Sequence, residues 1–347
     1  MGGWRCMNGG MAPSAATLLR PLDALRKAML RALGPWSKAF VRERSLRVAL
    51  FATGAGLAAF LGSVAAPLFL LAWTPLVLGV PHLLSDLRYL VVRPGLHRRP
   101  ALLVPLGLSL LAIVLLAPVP VSLAATATAI LIARAPVTRR LAGLTGVGAC
   151  TIWCVGHPLV APLALAQLHN LVAVALWWRW RPRRPIERVA PVLFVCAITL
   201  LLCGFGERMA HSNPLMGDGG SLNWMQQIER LAPGIPSPFG VRLVLVFAFA
   251  QAFHYAVWLR LLPEDDRPRP TPRTFAASWR ALREDFGLGA LALTGALALG
   301  LGLWGLFDLP AAGNGYLRLA LFHGPLEFAV IGNAWAERRR LSEGVAP

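Results

Sequence analysis

Long apolar segments are the feature that most constrains this sequence. A helix needs roughly 20 apolar residues to cross a bilayer, and fewer where the bilayer thins. The chain contains candidate segments of this kind at 48–62, 67–92, 101–117, 120–134, 141–156, 159–178, 189–206, 241–262, 286–307 and 315–336. They predict an all-α fold, a polytopic integral membrane bundle of about ten transmembrane helices.

The composition agrees with this prediction. Of the 347 residues, 56% are hydrophobic and 14% are charged, whereas a soluble globular protein carries about 25% charged residues. The net charge of +18 could suggest a nucleic-acid partner. We expect no such partner, because most of the basic residues lie in short connections between apolar segments, as the positive-inside rule describes.

The same basic residues predict the topology. Most of the 34 Lys and Arg residues lie in 1–47, 93–100, 134–140, 179–188, 260–283 and 338–347. Ten spans with both termini in the cytoplasm place all of these segments on one side. The predicted organisation is a cytoplasmic N-terminal segment (1–47), a transmembrane domain (48–337) and a basic C-terminal tail (338–347), in a bacterial-type inner (cell) membrane.

Three segments outside the spans have patterns of their own. No signal peptide is expected before Arg47. Instead, Leu22, Leu25, Met29 and Leu33 form one face of an amphipathic helix, which lies either on the membrane surface or on the protein's own loops. The outer connection 207–240 contains a short predicted helix at Leu222–Leu231 and is either a cap or an irregular loop. The cytoplasmic connection 263–285 is a Pro/Arg linker followed by a basic surface helix at Phe275–Phe286.

Histidines inside the apolar segments suggest a functional site. His82 and Asp86 are four residues apart and therefore share a helix face, and an ionisable pair inside a membrane indicates function. Three later segments each carry a histidine, and all four of these spans run in the same direction. Neutral imidazoles at similar depth are typical ligands of iron, zinc or copper. The predicted ligands are His82, His169, His254 and His323.

Polar neighbours accompany each of these histidines. A ligating histidine usually donates its second ring nitrogen to a carboxylate or carbonyl. Asp86 and Glu327, at i+4 from His82 and His323, are the candidate catalytic carboxylates and would orient those rings. Gln251, at i−3 from His254, and Asn170, beside His169, are the other candidates for this orienting role.

Other interpretations compete with a metal centre. Each histidine could be a packing residue, and Asp86 could pair with Arg88. Haem is a second possibility, although one histidine per helix favours a single centre. A proton-coupled transporter could use the His–Asp and His–Glu pairs as a relay. His97 is expected to be solvated, and His157, before Pro158, is expected to be structural.

The segment Gly79-Val-Pro-His-Leu-Leu-Ser-Asp86 resembles the G-x-P-H-x-x-x-D motif of the Brp/Blh-type bacterial membrane-bound β-carotene oxygenases. That family implies an all-helical membrane fold, with histidines on separate helices that hold a non-haem iron, and cleavage of β-carotene by dioxygen. The resulting hypothesis is a metal-dependent oxygenase whose partners are membrane lipid and a lipophilic substrate such as a carotenoid. The alternative is a membrane protein without catalysis, such as a transporter or an assembly factor, or a haem-binding protein.

Overall fold

The structure is a computed structural model that describes residues 15–116, 119–207, 209, 223–340 and 342. This part of the chain is helical and contains no strand. Its principal helices are α1 (Arg20–Ala32), α2 (Trp36–Arg42), α3 (Arg44–Ala65), α4 (Pro67–Asp86), α5 (Pro100–Leu116), α6 (Val119–Leu131), α7 (Val137–Gly156), α8 (Val160–Arg179), α9 (Val189–Leu202), α10 (Trp224–Leu231), α11 (Phe239–Ala256), α12 (Phe275–Phe307), α13 (Leu309–Ala320) and α14 (His323–Glu337).

Apolar helices long enough to cross a membrane indicate a multi-pass membrane protein. Six of them occur in the described residues, at Arg44–Ala65, Pro67–Val92, Val160–Arg179, Pro185–Leu202, Phe239–Asp265 and Phe275–Phe307. Two shorter apolar helices are Pro100–Leu116 and Ser122–Leu131. Each of the ten predicted spans overlaps a helix, but only six helices in the described residues have full spanning length.

The last predicted span is wrong as one continuous helix. The chain leaves α13 after Ala320 and begins α14 at His323. Pro325 explains the break, because a proline is tolerated in the first turn of a helix, whereas in the interior it removes a backbone hydrogen bond. The break places His323 at the first position of a new helix.

Helix α11 is the centre of the bundle. About 67% of the residues in its apolar stretch are buried, compared with 11% in the apolar stretch of α12. Its aromatic side chains Phe249 and Phe253 pack with Trp177 of α8 and with Trp258, and all four are almost completely buried. The helix that carries His254 is therefore enclosed by its neighbours, while α12 lies at the periphery.

Two helices change to π-helical geometry close to their histidines. Helix α4 continues as a π-helix at Leu87–Val92, and α11 continues as one at Val257–Leu261. Just before the first of these segments, the Ser85 hydroxyl donates to the carbonyl of Trp258 in the second at 2.6 Å. π turns are rare and frequently occur at functional sites. Their position beside His82 and His254 therefore supports a functional role for this region.

All six basic segments meet at one end of the bundle, which we call the basic end. Arg47 pairs with Glu264 at 2.8 Å, and Asp265 accepts hydrogen bonds from Arg181 and Arg183 at 2.5 Å. On the other side of the same end, Arg99 pairs with Glu337 at 2.9 Å. Arg88 and Arg93 form further ion pairs with Asp285 and Asp266. Arg139 donates a hydrogen bond to the Ala336 carbonyl at 2.8 Å.

The predicted surface helices are present. Leu22, Leu25 and Met29 of α1 and the following Leu33 are 47–62% exposed, so this apolar face does not pack on the described loops. The polar face does, since Asp23 accepts hydrogen bonds from the backbone N–H groups of Phe275 and Ala276. Helix α12 begins at Phe275 and bends at Gly287 (φ 78°), which separates its surface half from its apolar half.

The connection 207–240 also contains the predicted short helix. Helix α10 begins at Trp224, and the side chain of Asn223 caps it by accepting from the Met225 N–H at 2.8 Å. Residues 210–222, which include His211, lie outside the described residues.

Candidate metal centre

The four predicted ligand histidines lie together in the interior of the bundle. His254 Nε2 is 2.7 Å from His82 Nε2, and His323 Nε2 is 2.8 Å from His169 Nε2. The two pairs adjoin, since the ring centroids of His169 and His254 are 4.4 Å apart and those of His82 and His323 are 5.0 Å apart. We call these four residues the histidine cluster.

Two of the rings are held with Nε2 facing the cluster. His169 Nδ1 is 2.9 Å from Glu327 Oε2, and His323 Nδ1 is hydrogen-bonded to the Ala320 carbonyl. If Glu327 is ionised, both partners are acceptors, each Nδ1 donates and, in a neutral ring, each Nε2 carries a lone pair. Two lone pairs that face each other at 2.8 Å repel unless a cation lies between them. A metal ion or a shared proton would remove this repulsion.

Two buried carboxylates lie beside the rings. Asp86 Oδ1 is 3.3 Å from His82 Nε2, and both Asp86 and Glu327 have no exposed surface. Neither has a lysine or arginine partner in the described part of the chain, and both oxygens of Asp86 have no hydrogen-bond partner there. The expected alternative pairing of Asp86 with Arg88 is not found, because Arg88 binds Asp285 at 2.7 Å.

Charge balance is the test of whether these residues suit a metal. A buried carboxylate without a compensating cation is very unfavourable. A divalent ion would balance both carboxylates and would use the inward-facing nitrogens as ligands. Potential ligand atoms lie within 4.8 Å of one another in two groups, His82 with His254 and His323, and His169 with His254 and Glu327. Nitrogens bound to one ion at ~2.0–2.1 Å are about 3 Å or more apart, so the closest pairs would separate by only a few tenths of an ångström. The residues fit a metal ion.

The predicted orienting residues are only partly in the expected places. Glu327 is hydrogen-bonded to His169 on another helix and not to His323 on its own helix. The Gln251 amide donates to the Tyr255 hydroxyl at 3.4 Å, so its contact is a phenol and not the imidazole of His254. Asn170 is buried, and its Nδ2 has no hydrogen-bond partner among the described residues.

Two tyrosines complete the site and were missed by the sequence analysis. The ring of Tyr255 lies 5.1 Å from that of His82, and its hydroxyl interacts with that of Tyr316. A Cβ atom at Gly79 would lie 2.2 Å from the Tyr316 ring, so the glycine allows the tyrosine to reach the site. The chain has only three tyrosines. A tyrosine inside an apolar segment was therefore a feature by which the sequence could have pointed to Tyr255 and Tyr316.

A cavity of about 590 Å³ lies near the histidine cluster, on the side away from the basic end, although none of the four histidines lines it. We call it the distal cavity. Ala166 and Gln251, which line it, come one helical turn before His169 and His254, and Leu321 comes two residues before His323. Most of its wall is apolar, and α10 closes its outer side with Gln227, Arg230 and other residues. His97 and His157 are both exposed and lie outside the cluster.

Together, the fold and the cluster define a multi-pass helical membrane protein with an enclosed four-histidine site. Comparisons with protein-family models, with curated proteins and with solved structures gave no match. The functional interpretation therefore depends on the site itself.

Proposed function

We propose that this protein is a metal-dependent, iron-containing membrane oxygenase that acts on a lipid-soluble substrate such as a carotenoid. The observation that supports it most is the contact between inward-facing Nε2 atoms, most clearly those of His169 and His323 at 2.8 Å. Each of the four rings comes from a different helix, so the fold brings them together only through tertiary packing.

The chain's own residues have distinct roles in this proposal. His82, His169, His254 and His323 hold the ion, and Glu327 fixes the tautomer of His169 through its hydrogen bond. Asp86 contributes negative charge beside His82. Imidazole nitrogens with a carboxylate suit iron, and they also suit zinc. Bound iron would supply the redox chemistry that dioxygen requires.

The distal cavity supports a lipophilic substrate. Its volume of about 590 Å³ falls within the usual range of ligand pockets, which are mostly apolar with a few polar groups. Leu71, Leu163 and Phe247 give it an apolar wall. The carotenoid class is proposed from the resemblance of the Gly79–Asp86 motif to the Brp/Blh-type oxygenases.

The proposed topology has ten membrane-embedded segments with the basic end in the cytoplasm, in a bacterial-type inner membrane. The meeting of all six basic segments at one end supports it, because the positive-inside rule places such segments on the cytoplasmic side. In this arrangement the distal cavity lies in the outer half of the membrane.

Haem is a poorer fit to this site. A porphyrin must pass between its two axial ligands. The nitrogens of His82 and His254 are 2.7 Å apart and those of His169 and His323 are 2.8 Å apart, so neither pair leaves a gap for a macrocycle.

A proton-coupled transporter is the second candidate function, and the break between α13 and α14 favours it. Discontinuous helices are common at transporter sites, and a shared proton would also relieve the repulsion between His169 and His323. The two candidates differ in one observable property, since a transporter of this kind does not need a tightly bound metal.

Activity can be tested in cells that accumulate β-carotene. We expect the wild-type protein and the exposed-site control His97→Ala to deplete the pigment in air, while His254→Ala leaves it unchanged. Depletion should stop without oxygen. Pigment that persists in the presence of folded, iron-loaded wild-type protein would reject the carotenoid substrate, and depletion by His254→Ala would reject the site.

A further inference from the structure

A second cavity, of about 650 Å³, lies at the basic end between α4, α11 and α12. We call it the basic cavity. Helix α1 and the segment 267–273 cover it from outside the bundle, through Arg26, Arg267 and Arg273. It is built from different side chains than the histidine cluster, and nothing in the proposed oxygenase chemistry requires it.

The basic cavity is strongly cationic on the side covered by α1 and the segment 267–273. Five arginines and no carboxylate line it, namely Arg26, Arg88, Arg260, Arg267 and Arg273. The acidic groups nearby are shared among several arginines, since Asp285 pairs with both Arg88 and Arg93, and Glu264 pairs with Arg47, Arg260 and Arg267. Positive charge is therefore in excess at this opening.

Two of these arginines are available to an anion. The Arg267 side chain is 9% exposed, and its Nε has no hydrogen-bond partner in the described residues. Burial lowers the pKa of this guanidinium to about 10, which shows the cost of holding the charge there without a full complement of anions. Arg273 forms none of the ion pairs found in the described ranges, and the carboxylate that acts on it electrostatically, Asp266, is shared with Arg88 and Arg93.

The rest of the cavity is apolar and runs along the membrane half of α12. Leu84 of α4 faces Leu291 and Ala298 across it. From Leu291 to Ala298 the groove runs about 10 Å along the helix, at 1.5 Å per residue. A Cβ atom added at Gly295 would meet nothing within 4 Å, so the wall is open at this position. Because α12 lies at the periphery of the bundle, the groove can be reached from the surrounding lipid.

We infer that the basic cavity binds an anionic phospholipid, with the phosphate headgroup among the arginines and an acyl chain along the α12 groove. A cationic opening above an apolar groove matches both parts of such a lipid. Basic pockets between membrane helices are known to bind anionic headgroups in this way. Arg273 and Arg267 contact the phosphate, and Gly295 leaves room for the chain.

Native mass spectrometry of the purified full chain can test this site. The protein is taken from nanodiscs that contain equal amounts of phosphatidylglycerol and phosphatidylcholine, and the retained lipids are counted. We expect retention of phosphatidylglycerol in preference to phosphatidylcholine. Arg273→Gln should weaken retention about fivefold, since each basic residue near an anionic surface contributes about 1 kcal/mol. Arg280→Gln, at an exposed position on α12, should have no effect.

A second pair of variants tests the acyl-chain groove and separates a lipid from a free anion. Gly295→Phe should fill the groove and displace the lipid, while Gly300→Phe, also in open space on α12, should not. Equal retention of phosphatidylcholine would overturn the proposal. So would displacement of the bound species by inorganic phosphate together with unchanged binding in Gly295→Phe, because that result describes a soluble anion site. All of these readouts are independent of metal content and oxygenase activity.

Discussion

His169 Nδ1 and Glu327 Oε2 are 2.9 Å apart across the contact between α8 and α14. This hydrogen bond fixes the ring of His169 so that its Nε2 faces His323. Glu327 is buried where these two helices pack, and its charge acts on the imidazole of His169. The packing of α8 against α14 therefore influences the basicity of this ring.

Glu327→Gln should therefore weaken metal binding without removing it. The amide keeps the shape of the side chain but loses the charge that raises imidazole basicity, and changes of this kind typically cost 10–100-fold in metal affinity or activity. Metal titration of purified protein measures the effect. Glu337→Gln, a carboxylate change at the end of the same helix, should keep wild-type affinity; equal losses in both variants would mean that general destabilisation is the cause.

Gly79→Ala should destabilise the protein and disturb the site together. Its methyl group would lie 2.2 Å from the Tyr316 ring, and overpacking of this kind costs about 1–3 kcal/mol. Gly107→Ala is the matched control, because it is also in a helix and its Cβ would meet nothing within 4 Å. It should be neutral or slightly stabilising. Thermal unfolding in detergent measures both, and an unchanged melting temperature in Gly79→Ala would show that the contact is not a constraint.

The pair of Arg99 and Glu337 should make stability depend on pH. Burial alone would raise the pKa of Glu337, but hydrogen bonds from Arg99 and from the backbone N–H of Arg134 outweigh it and lower the pKa below its ordinary value. The ion pair therefore stabilises the fold above the ordinary glutamate pKa of about 4.3, and this contribution is lost as the pH falls through the lowered pKa.

The variant Glu337→Gln isolates this effect. At pH 7 it should lower the stability of the protein by about 1–3 kcal/mol, since Arg99 would lose its charged partner. The difference from the wild type should shrink as the pH falls below the ordinary glutamate pKa of about 4.3 and disappear as it falls through the lowered pKa of Glu337. Melting temperatures measured across this range provide the test, and a difference that is constant with pH would contradict it.

Cysteine labelling tests the orientation of the basic end. In a cysteine-free background, Arg184→Cys and Arg269→Cys, both at exposed positions of the basic end, should react only after the membrane is permeabilised. Met225→Cys on α10, where the native side chain is 62% exposed, should react in intact cells. The reverse pattern would invert the proposed topology.

The sequence predicted the helical bundle well because apolar segment length and the placement of arginines are local properties. It also identified the candidate histidines, since an imidazole in an apolar segment is conspicuous. It could not identify the partner of Glu327, because the i+4 spacing pointed to His323 while helix packing brought the carboxylate to His169. The break before His323 had a signal in Pro325. The contact between Gly79 and Tyr316 had none, because it depends on how closely α4 and α13 approach each other.

Metal content per folded molecule tests the central claim most directly. Purified without chelators, the wild-type protein and His97→Ala should each contain about one iron per chain by elemental analysis, in line with a single centre. His82→Ala and His169→Ala should contain almost none at equal yield of folded protein, because each loses one ligand of the same ion. Wild-type protein without a bound transition metal would contradict the proposed metal centre and favour a shared proton within the histidine cluster.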